Sequence, residues 1–329
     1  MLTLRELPPA RRWAGSLGIR RACGSVLGGV LGVLLCAVGP LSAQQPAAGW
    51  VVPRTPDGQP DLQGNWSNAT MTPIQRPDGQ AAVLTLAQVA QLEGRREDLI
   101  QARLQPSDPD RTAPPVGGDG STGAAGGVGG YNYFFIDAGD QVAIVDGEYR
   151  SSLLVDPPDG RRPGLTEEGR RVLAERAAEG RAFGAYDNPE NRPLAERCIM
   201  SFGSNAGPPM LPNYFYNNNS TIVQTPSHVM IMTEMVHDVR IIRMGDGEPL
   251  PSHVRPWMGD SQGHWEGDTL VIVTTNLHPE QTLLSIPPSG EMRVTERISR
   301  VAEHTLHYEF TVEDPVMLDA PFTGQLPFH

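Results

Sequence analysis

Four residues near the middle of the chain have side chains that perform acid/base chemistry: Glu234, His237, Asp238 and Arg240. A histidine can act as a general acid or base near neutral pH, and a neighbouring carboxylate can fix its tautomer. The pattern predicts a catalytic site in which His237 transfers the proton, Asp238 or Glu234 orients it, and Arg240 or Arg255 binds a substrate oxyanion. The alternative is an ordinary turn whose polar groups satisfy one another.

A second group of aromatic, amide and basic residues is predicted to bind the substrate. Its members are Arg255, Trp257, His264, Trp265, Tyr214 and Asn218. Aromatic rings supply stacking surface, and a guanidinium supplies an anion contact. A structural interpretation also fits part of this group, because Gly267 and Asp268 are typical turn residues and predict a hairpin corner at 263–269.

Signatures of metal and cofactor binding are absent from the sequence. No histidine spacing matches a zinc pair on a helix or a cysteine-histidine site, and the glycine-rich run 123–130 lacks the Lys-Ser/Thr of a phosphate loop. The chain has no Gly-x-Ser-x-Gly elbow and no lysine for a Schiff base. We therefore expect no cofactor and a metal-independent lyase, isomerase or hydrolase. A non-catalytic binding protein for a small hydrophobic or aromatic ligand is the alternative.

Residues 1–43 have the order of a secretory signal: arginines, an apolar run at 25–38, and small residues ending at Ala43. The apolar run is shorter than the roughly 20 residues that span a bilayer, which disfavours a membrane anchor. We expect cleavage after Ala43 and a periplasmic or secreted protein that is not stably inserted in the membrane. The pair Arg20-Arg21 leaves both the general secretory route and the twin-arginine route open.

The charge of the chain restricts its partners. The formal net charge is −12, and without the five arginines and one glutamate of the leader it becomes −16, from 21 basic and 37 acidic residues. Nucleic acid and anionic membranes are therefore poor partners, and a small-molecule ligand or substrate is expected. One cysteine, Cys198, follows the leader, so no intrachain disulfide is expected. These features make no prediction about the oligomeric state.

Turn signals and periodicity predict a mainly β fold with a few helices. Residues 44–130 read as an extended N-terminal segment with one helix at 85–105 and a flexible Gly/Pro-rich loop at 106–130. Residues 131–329 read as a β-rich domain with one inserted helix that begins after Thr166. Short polar turns between its strands favour an antiparallel curved sheet or half-barrel enclosing a pocket. Its six clearest strands are predicted at 221–225, 229–234, 239–244, 270–275, 293–301 and 305–312.

Several motifs give the chain a resemblance that covers nearly all of it after the leader. They include Arg197-Cys198-Ile199, Glu234-Met-Val-His-Asp-Val-Arg240 and Trp265-Glu-Gly-Asp-Thr-Leu270. With these motifs the chain resembles a family of exported, mostly uncharacterised bacterial proteins. The resemblance implies export and a shared fold, and it implies no particular activity. Members of that family continue into a tyrosine-rich stretch with a Cys-His-Glu-Gly-Asn sequence, which is not found before His329.

Overall fold

The computed structural model describes residues 49–104, 110, 112, 136–184, 186–201, 207–212 and 217–329. The predicted signal at 1–43, nearly all of the predicted loop at 106–130, and Tyr214 lie outside these residues. Within them the fold is mainly β, as predicted, with two helices: α1 (Leu86–Leu104) and α2 (Glu167–Ala182). Neither helix is long and apolar enough to cross a membrane.

Twelve strands are found in the part of the chain that the structure describes. They are β1 (Gly64–Ser67), β2 (Ile144–Val145), β3 (Glu148–Tyr149), β4 (Leu154–Asp156), β5 (Asn219–Gln224), β6 (His228–Thr233), β7 (Val239–Met244), β8 (Asp260–Glu266), β9 (Thr269–Thr275), β10 (Arg293–Ala302), β11 (Thr305–Glu313) and β12 (Phe322–Phe328). Strands β2 and β3 form a small separate sheet. The other ten form one sheet, in the order β1-β5-β6-β7-β8-β9-β10-β11-β12-β4.

The ten-stranded sheet is curved into a half-barrel and is mixed. Most neighbours pair antiparallel through short turns, as in β8 and β9, which are joined by Gly267 and Asp268. Gly267 has a φ of 61°, which a glycine adopts without steric cost. Strand β7 pairs parallel with β8, so the chain must cross from the end of β7 back to the start of β8 through residues 245–259. This connection contains Arg255 and Trp257 of the predicted substrate-binding group.

Strand β1, at one edge of the sheet, also forms hydrogen bonds with the residue that follows β12 near the other edge. Ser67 at the end of β1 exchanges two backbone hydrogen bonds with His329: the Ser67 N–H donates to the His329 carbonyl at 2.7 Å, and the His329 N–H donates to the Ser67 carbonyl at 2.9 Å. Nearby, the guanidinium of Arg300 in β10 donates to the carbonyl of Asp61 at 3.0 Å. Residues 61–67 therefore connect the two sides of the half-barrel.

Alternation along the strands separates an inner face from an outer face. The inner face carries the main hydrophobic core, which includes Trp66, Ile231, Ile272, Tyr308 and Phe310. Two charged side chains also point inward at alternating positions, Arg240 of β7 and Glu296 of β10. Arg243, Gln262 and His264 and their neighbours on adjacent strands lie on the outer face.

Both helices begin at the threonines predicted to cap them. The hydroxyl of Thr85 accepts a hydrogen bond from the Gln88 N–H, and the Gln88 side chain accepts one from the Thr85 N–H at 2.9 Å, which is a capping box. Thr166 accepts from the Gly169 N–H at 2.9 Å. Gly169 is needed where α2 meets the connection between β11 and β12, because a Cβ there would lie 2.4 Å from the carbonyl oxygen of Met317.

Candidate functional site

The turn between β6 and β7 holds three of the four predicted catalytic residues in an unusual backbone. A short 3-10 turn covers Met235–His237, and its last two residues, Val236 and His237, have φ angles of 58° and 47°. Left-handed backbone is disfavoured for residues with a Cβ, and more so for a β-branched valine. The strained turn leaves the His237 side chain exposed to solvent and the Asp238 side chain buried.

The Asp238 carboxyl is held by the segment that follows Cys198. The Ser201 N–H donates to its Oδ2 at 3.0 Å, and the Asp238 carbonyl accepts from the Thr233 N–H at 2.9 Å, which closes the turn. Burial raises the pKa of Asp238 above its ordinary value of 3.8, and the Ser201 N–H and the charge of His237 oppose this increase. His237 therefore lies within electrostatic reach of a carboxyl that is harder to ionise than usual.

Glu234 is placed beside the chain that enters β5. Its Oε2 accepts a hydrogen bond from the Asn219 side chain at 2.9 Å, and its N–H donates to the Asn219 carbonyl. The buried side chain of Asn218 donates to the carbonyl of Asp137 at 2.5 Å. Desolvation and the negative charges of Glu234 and Asp140 raise the pKa of Asp137. Of the predicted site residues, this end of the sheet thus brings together Asn218, Glu234, His237 and Asp238.

Arg240 lies inside the half-barrel and away from this group. Its two terminal nitrogens donate to both carboxylate oxygens of Glu296, at 2.5 and 2.8 Å, and both side chains are almost fully buried. The Tyr308 hydroxyl donates to Glu296 at 2.7 Å and accepts from the Met210 N–H at 2.9 Å. Burial and the charge of Glu296 raise the pKa of Tyr308 well above 10.0, so Tyr308 stays a neutral donor.

The interior position of Arg240 does not fit the oxyanion-binding role predicted for it. A guanidinium whose terminal nitrogens both bind a buried carboxylate is not free to bind a substrate oxyanion. The Arg240–Glu296–Tyr308 network instead joins β7 to β10 and β11 across the barrel interior. It fixes the start of β7, two residues after Asp238, and so it positions the turn without taking part in the site.

Arg255 and Trp257 lie in the connection before β8 and belong to a separate cluster. The Arg255 guanidinium donates to the Ser289 carbonyl at 3.1 Å. The Trp257 ring stacks on His278, with ring centroids 3.7 Å apart at 32°. Partial burial, together with the charges of Arg255 and Arg197, lowers the pKa of His278, while Glu280 opposes this effect.

His264 and Trp265 are consecutive residues of β8 and therefore face opposite sides of the sheet. Trp265 points inward and packs against the core. His264 is exposed on the outer face, where its Nε2 lies 3.2 Å from a carboxylate oxygen of Glu266. Arg297 donates to the other oxygen of Glu266 at 2.8 Å and lowers the pKa of that carboxyl together with His264. The two residues cannot line the same site.

Within the described residues, no three His, Cys, Asp or Glu side chains form a group that could hold a metal ion. Comparisons with family models, curated proteins and solved structures find no match. The site is therefore defined by its own geometry.

Sequence reasoning did not select Glu296, Tyr308 or His278. Glu296 had a readable signal, because it occupies an inward position between the buried residues Val294 and Ile298, where an apolar side chain would be expected. A charged residue at such a position requires a buried partner. His278 had no comparable signal in the local pattern, because its ring partner, Trp257, comes from another loop.

Proposed function

We propose that this protein is an enzyme that acts on a small organic molecule by metal-independent acid/base chemistry at the β6–β7 turn. His237 is the acid or base, and Asp238, with Glu234 beside the turn, sets its electrostatic environment. The reaction class is lyase, isomerase or hydrolase. The observation that carries this proposal is the pair of consecutive left-handed residues, Val236 and His237, at the position where these groups meet.

Backbone strain supports a functional role for this turn. Each non-glycine residue in a sparsely populated φ/ψ region costs of the order of 1–3 kcal/mol, and such residues cluster at active sites. A glycine at position 236 or 237 would remove most of this cost. A surface turn that served only to connect two strands has no need for a valine and a histidine there. The strain is explained if the histidine side chain itself is required.

The electrostatics of the turn fit proton transfer. An exposed imidazole near a buried carboxyl can exchange protons with a ligand while the carboxyl stabilises its charged form. The raised pKa of Asp238 and the proximity of Glu234 to Asp137 show that charges at this end of the sheet influence one another. Side-chain amides at Asn218 and Asn219 hold the surrounding backbone and carboxylate in place.

The alternative, a non-catalytic protein that binds a small hydrophobic or aromatic ligand, has weaker support. Its aromatic candidates among the described residues are Trp257 and Trp265. One face of Trp257 is covered by His278, and Trp265 packs against the core. Trp257 therefore has only one face left for stacking, and Trp265 is partly buried.

The proposal is tested by comparing matched histidine variants in a turnover screen. The chain starting at Gln44 would be incubated with pools of small molecules, and their conversion followed by mass spectrometry. His237→Ala should lower kcat/KM by about 100-fold or more, which is the usual contribution of a general acid or base. His304→Ala is the control, since His304 is also an exposed turn histidine beside a carboxylate, at 3.8 Å from Glu303. Equal activity of both variants, or ligand recovered unchanged from every pool, would contradict the proposal.

We further propose that the protein is exported and that its leader is removed after Ala43. The support is the order of charged, apolar and small residues in the leader. Cell fractionation should recover from the periplasm or medium a protein whose intact mass corresponds to a start at Gln44. Replacing Arg20 and Arg21 by lysine should block export only if the twin-arginine route is used. Recovery of the full-length chain in the cytoplasm alone would refute export.

A further inference from the structure

An open cleft of about 320 Å³ lies on the outer face of the half-barrel, a volume within the range of small-molecule sites. It is bounded by β8, β9, the start of β10 and the connection that follows β7. Its lining includes Asp246, Gln262, His264, Val273, Thr275 and Arg293. Strand β7 separates it from the His237 turn, and the five residue steps from Val239 to Met244 correspond to about 17 Å. The cleft is thus distinct from the proposed catalytic site.

The rim of the cleft is held in place by side chains of the sheet. Asp260 accepts a hydrogen bond from the Leu250 N–H at 2.7 Å, and Gln262 donates to the Gly247 carbonyl at 2.9 Å. Arg243 donates to the Glu248 carbonyl at 3.1 Å, and Asn276 donates to the Leu250 carbonyl at 2.8 Å. Four side chains therefore fix residues 247–250. A preformed rim lowers the conformational entropy that a ligand must overcome on binding.

The charges that line the cleft fall into two kinds. The Asp260 carboxylate is neutralised in place by Arg243, one terminal nitrogen of which donates to both carboxylate oxygens at 2.7 and 2.9 Å, and His264 lies beside Glu266. Asp246 and Arg293 are exposed, and neither forms an ion pair with any residue that the structure describes. The cleft thus offers one available carboxylate and one available guanidinium.

We propose that this cleft binds a small zwitterion of the amino-acid class, with its carboxylate at Arg293 and its ammonium group at Asp246. A ligand with a single charge would pair with only one of these two exposed groups. A zwitterion satisfies both, and guanidinium pairs with carboxylate in a planar, bidentate geometry. Gln262 and Thr275 add hydrogen-bonding groups, and Val273 adds an apolar contact. This inference is independent of the proposed acid/base chemistry.

Isothermal titration calorimetry on the full chain after the leader provides the test. Glycine, β-alanine and γ-aminobutyrate vary the separation of the two charges, and L-leucine and L-glutamine add a side chain. N-acetylglycine and glycinamide are the single-charge analogues of glycine. At least one zwitterion should bind, and blocking either of its charged groups should weaken binding about tenfold or more, as expected for a charge-assisted hydrogen bond.

Three variants locate the binding. Arg293→Gln and Asp246→Asn should each weaken binding of the same zwitterion about tenfold or more, whereas Arg297→Gln should not. Arg297 is the control because it also lies on the outer face but pairs with Glu266 outside the cleft. The proposal is overturned if no zwitterion binds at millimolar concentration, if the single-charge analogues bind as tightly as the zwitterion, or if Arg297→Gln weakens binding as much as Arg293→Gln.

Discussion

Replacing Glu296 by glutamine should destabilise the protein by about 3–5 kcal/mol, the usual cost of removing one partner from a buried ion pair. Glu296 is fully buried and Arg240 is 2% exposed, so water cannot replace the lost charge. The carboxylate accepts two hydrogen bonds from Arg240 and one from Tyr308. A glutamine amide keeps one acceptor and places an NH₂ group against donors, and it leaves the Arg240 charge without compensation.

The measurement is urea unfolding followed by circular dichroism, with linear extrapolation to water. For a chain of this size, with an m value of about 3 kcal/mol/M, the midpoint of Glu296→Gln should fall by about 1–1.7 M. Tyr308→Phe should cost less, about 1–3 kcal/mol, because it removes a neutral group and leaves only Glu296 and the Met210 N–H with one partner fewer. Glu266→Gln breaks an exposed pair with Arg297 and should leave the midpoint nearly unchanged.

A double-mutant cycle makes the reasoning more stringent. If the cost arises from an uncompensated buried charge, removing both charges as Arg240→Met with Glu296→Leu should cost less than the sum of the two single changes. Additive costs, or a Glu296→Gln midpoint equal to that of Glu266→Gln, would show that the pair is hydrated and that the interior is not the low-dielectric environment that its burial indicates.

Three further predictions concern the turn and the core. His237→Gly should be more stable than His237→Ala by about 1 kcal/mol in urea unfolding, because glycine removes the left-handed penalty while both variants lack the imidazole; equal stability would contradict the strain argument. Asp238 has a raised pKa in the folded state, so the stability that it contributes is fully present below its ordinary value of 3.8 and is lost as pH rises through the folded value. The melting temperature of Asp238→Asn should therefore rise relative to wild type as pH increases from about 4 to 7, and a constant difference would refute the assignment. Gly324→Ala should destabilise the protein by about 1–3 kcal/mol in chemical unfolding, because the new Cβ would lie 2.3 Å from the buried ring of Phe310. Gly290→Ala is the milder control, because the nearest contact of its Cβ would be at 3.3 Å, to the flexible end of Arg255.

The strands that could be predicted from the sequence are those whose alternation is carried by apolar side chains. Strand β7 has the predicted limits, and β5, β6, β9, β10 and β11 differ from prediction by one to two residues at an end. Strand β8 has no such alternation, because its inward residues are Ser261, Gly263 and Trp265. The Ser261 hydroxyl is instead paired with that of Thr274 at 2.8 Å on β9. A cross-strand pair of this kind is not visible in either strand alone.

The parallel pairing of β7 and β8 could not be read from turn signals either. Residues 245–259 contain glycines and prolines that are equally typical of a long hairpin loop. Side chains on the sheet hold this connection in place, since Arg243, Asp260 and Gln262 bind it at several points. These contacts join residues that are close only after the strands are side by side.

The predicted site was partly a local property and partly a tertiary one. Glu234, His237 and Asp238 are near one another in the sequence, and their turn keeps them so. Arg240 was grouped with them for the same reason. It is the second residue of β7, however, and the alternation of the strand sets the direction of its side chain. Its partner, Glu296, lies on β10, which the local sequence around Arg240 does not reveal. Whether Arg240 belongs to the site or to the core depends on the register of β7, and the turn before β7 determines that register.

The bonds between Ser67 and His329 bear on when the fold can form during synthesis. Strand β1 is synthesised early, but its neighbour β5 and its other partner, His329, emerge much later. Contacts of such long range slow folding, and until they form, β1 has no partner on either side. The sheet therefore closes only after residue 329 has left the ribosome. If the chain is exported as proposed, the two routes differ in where the sheet closes. A chain threaded unfolded would close its sheet on the far side of the membrane. A chain carried folded would have to close its sheet before it leaves the cytoplasm.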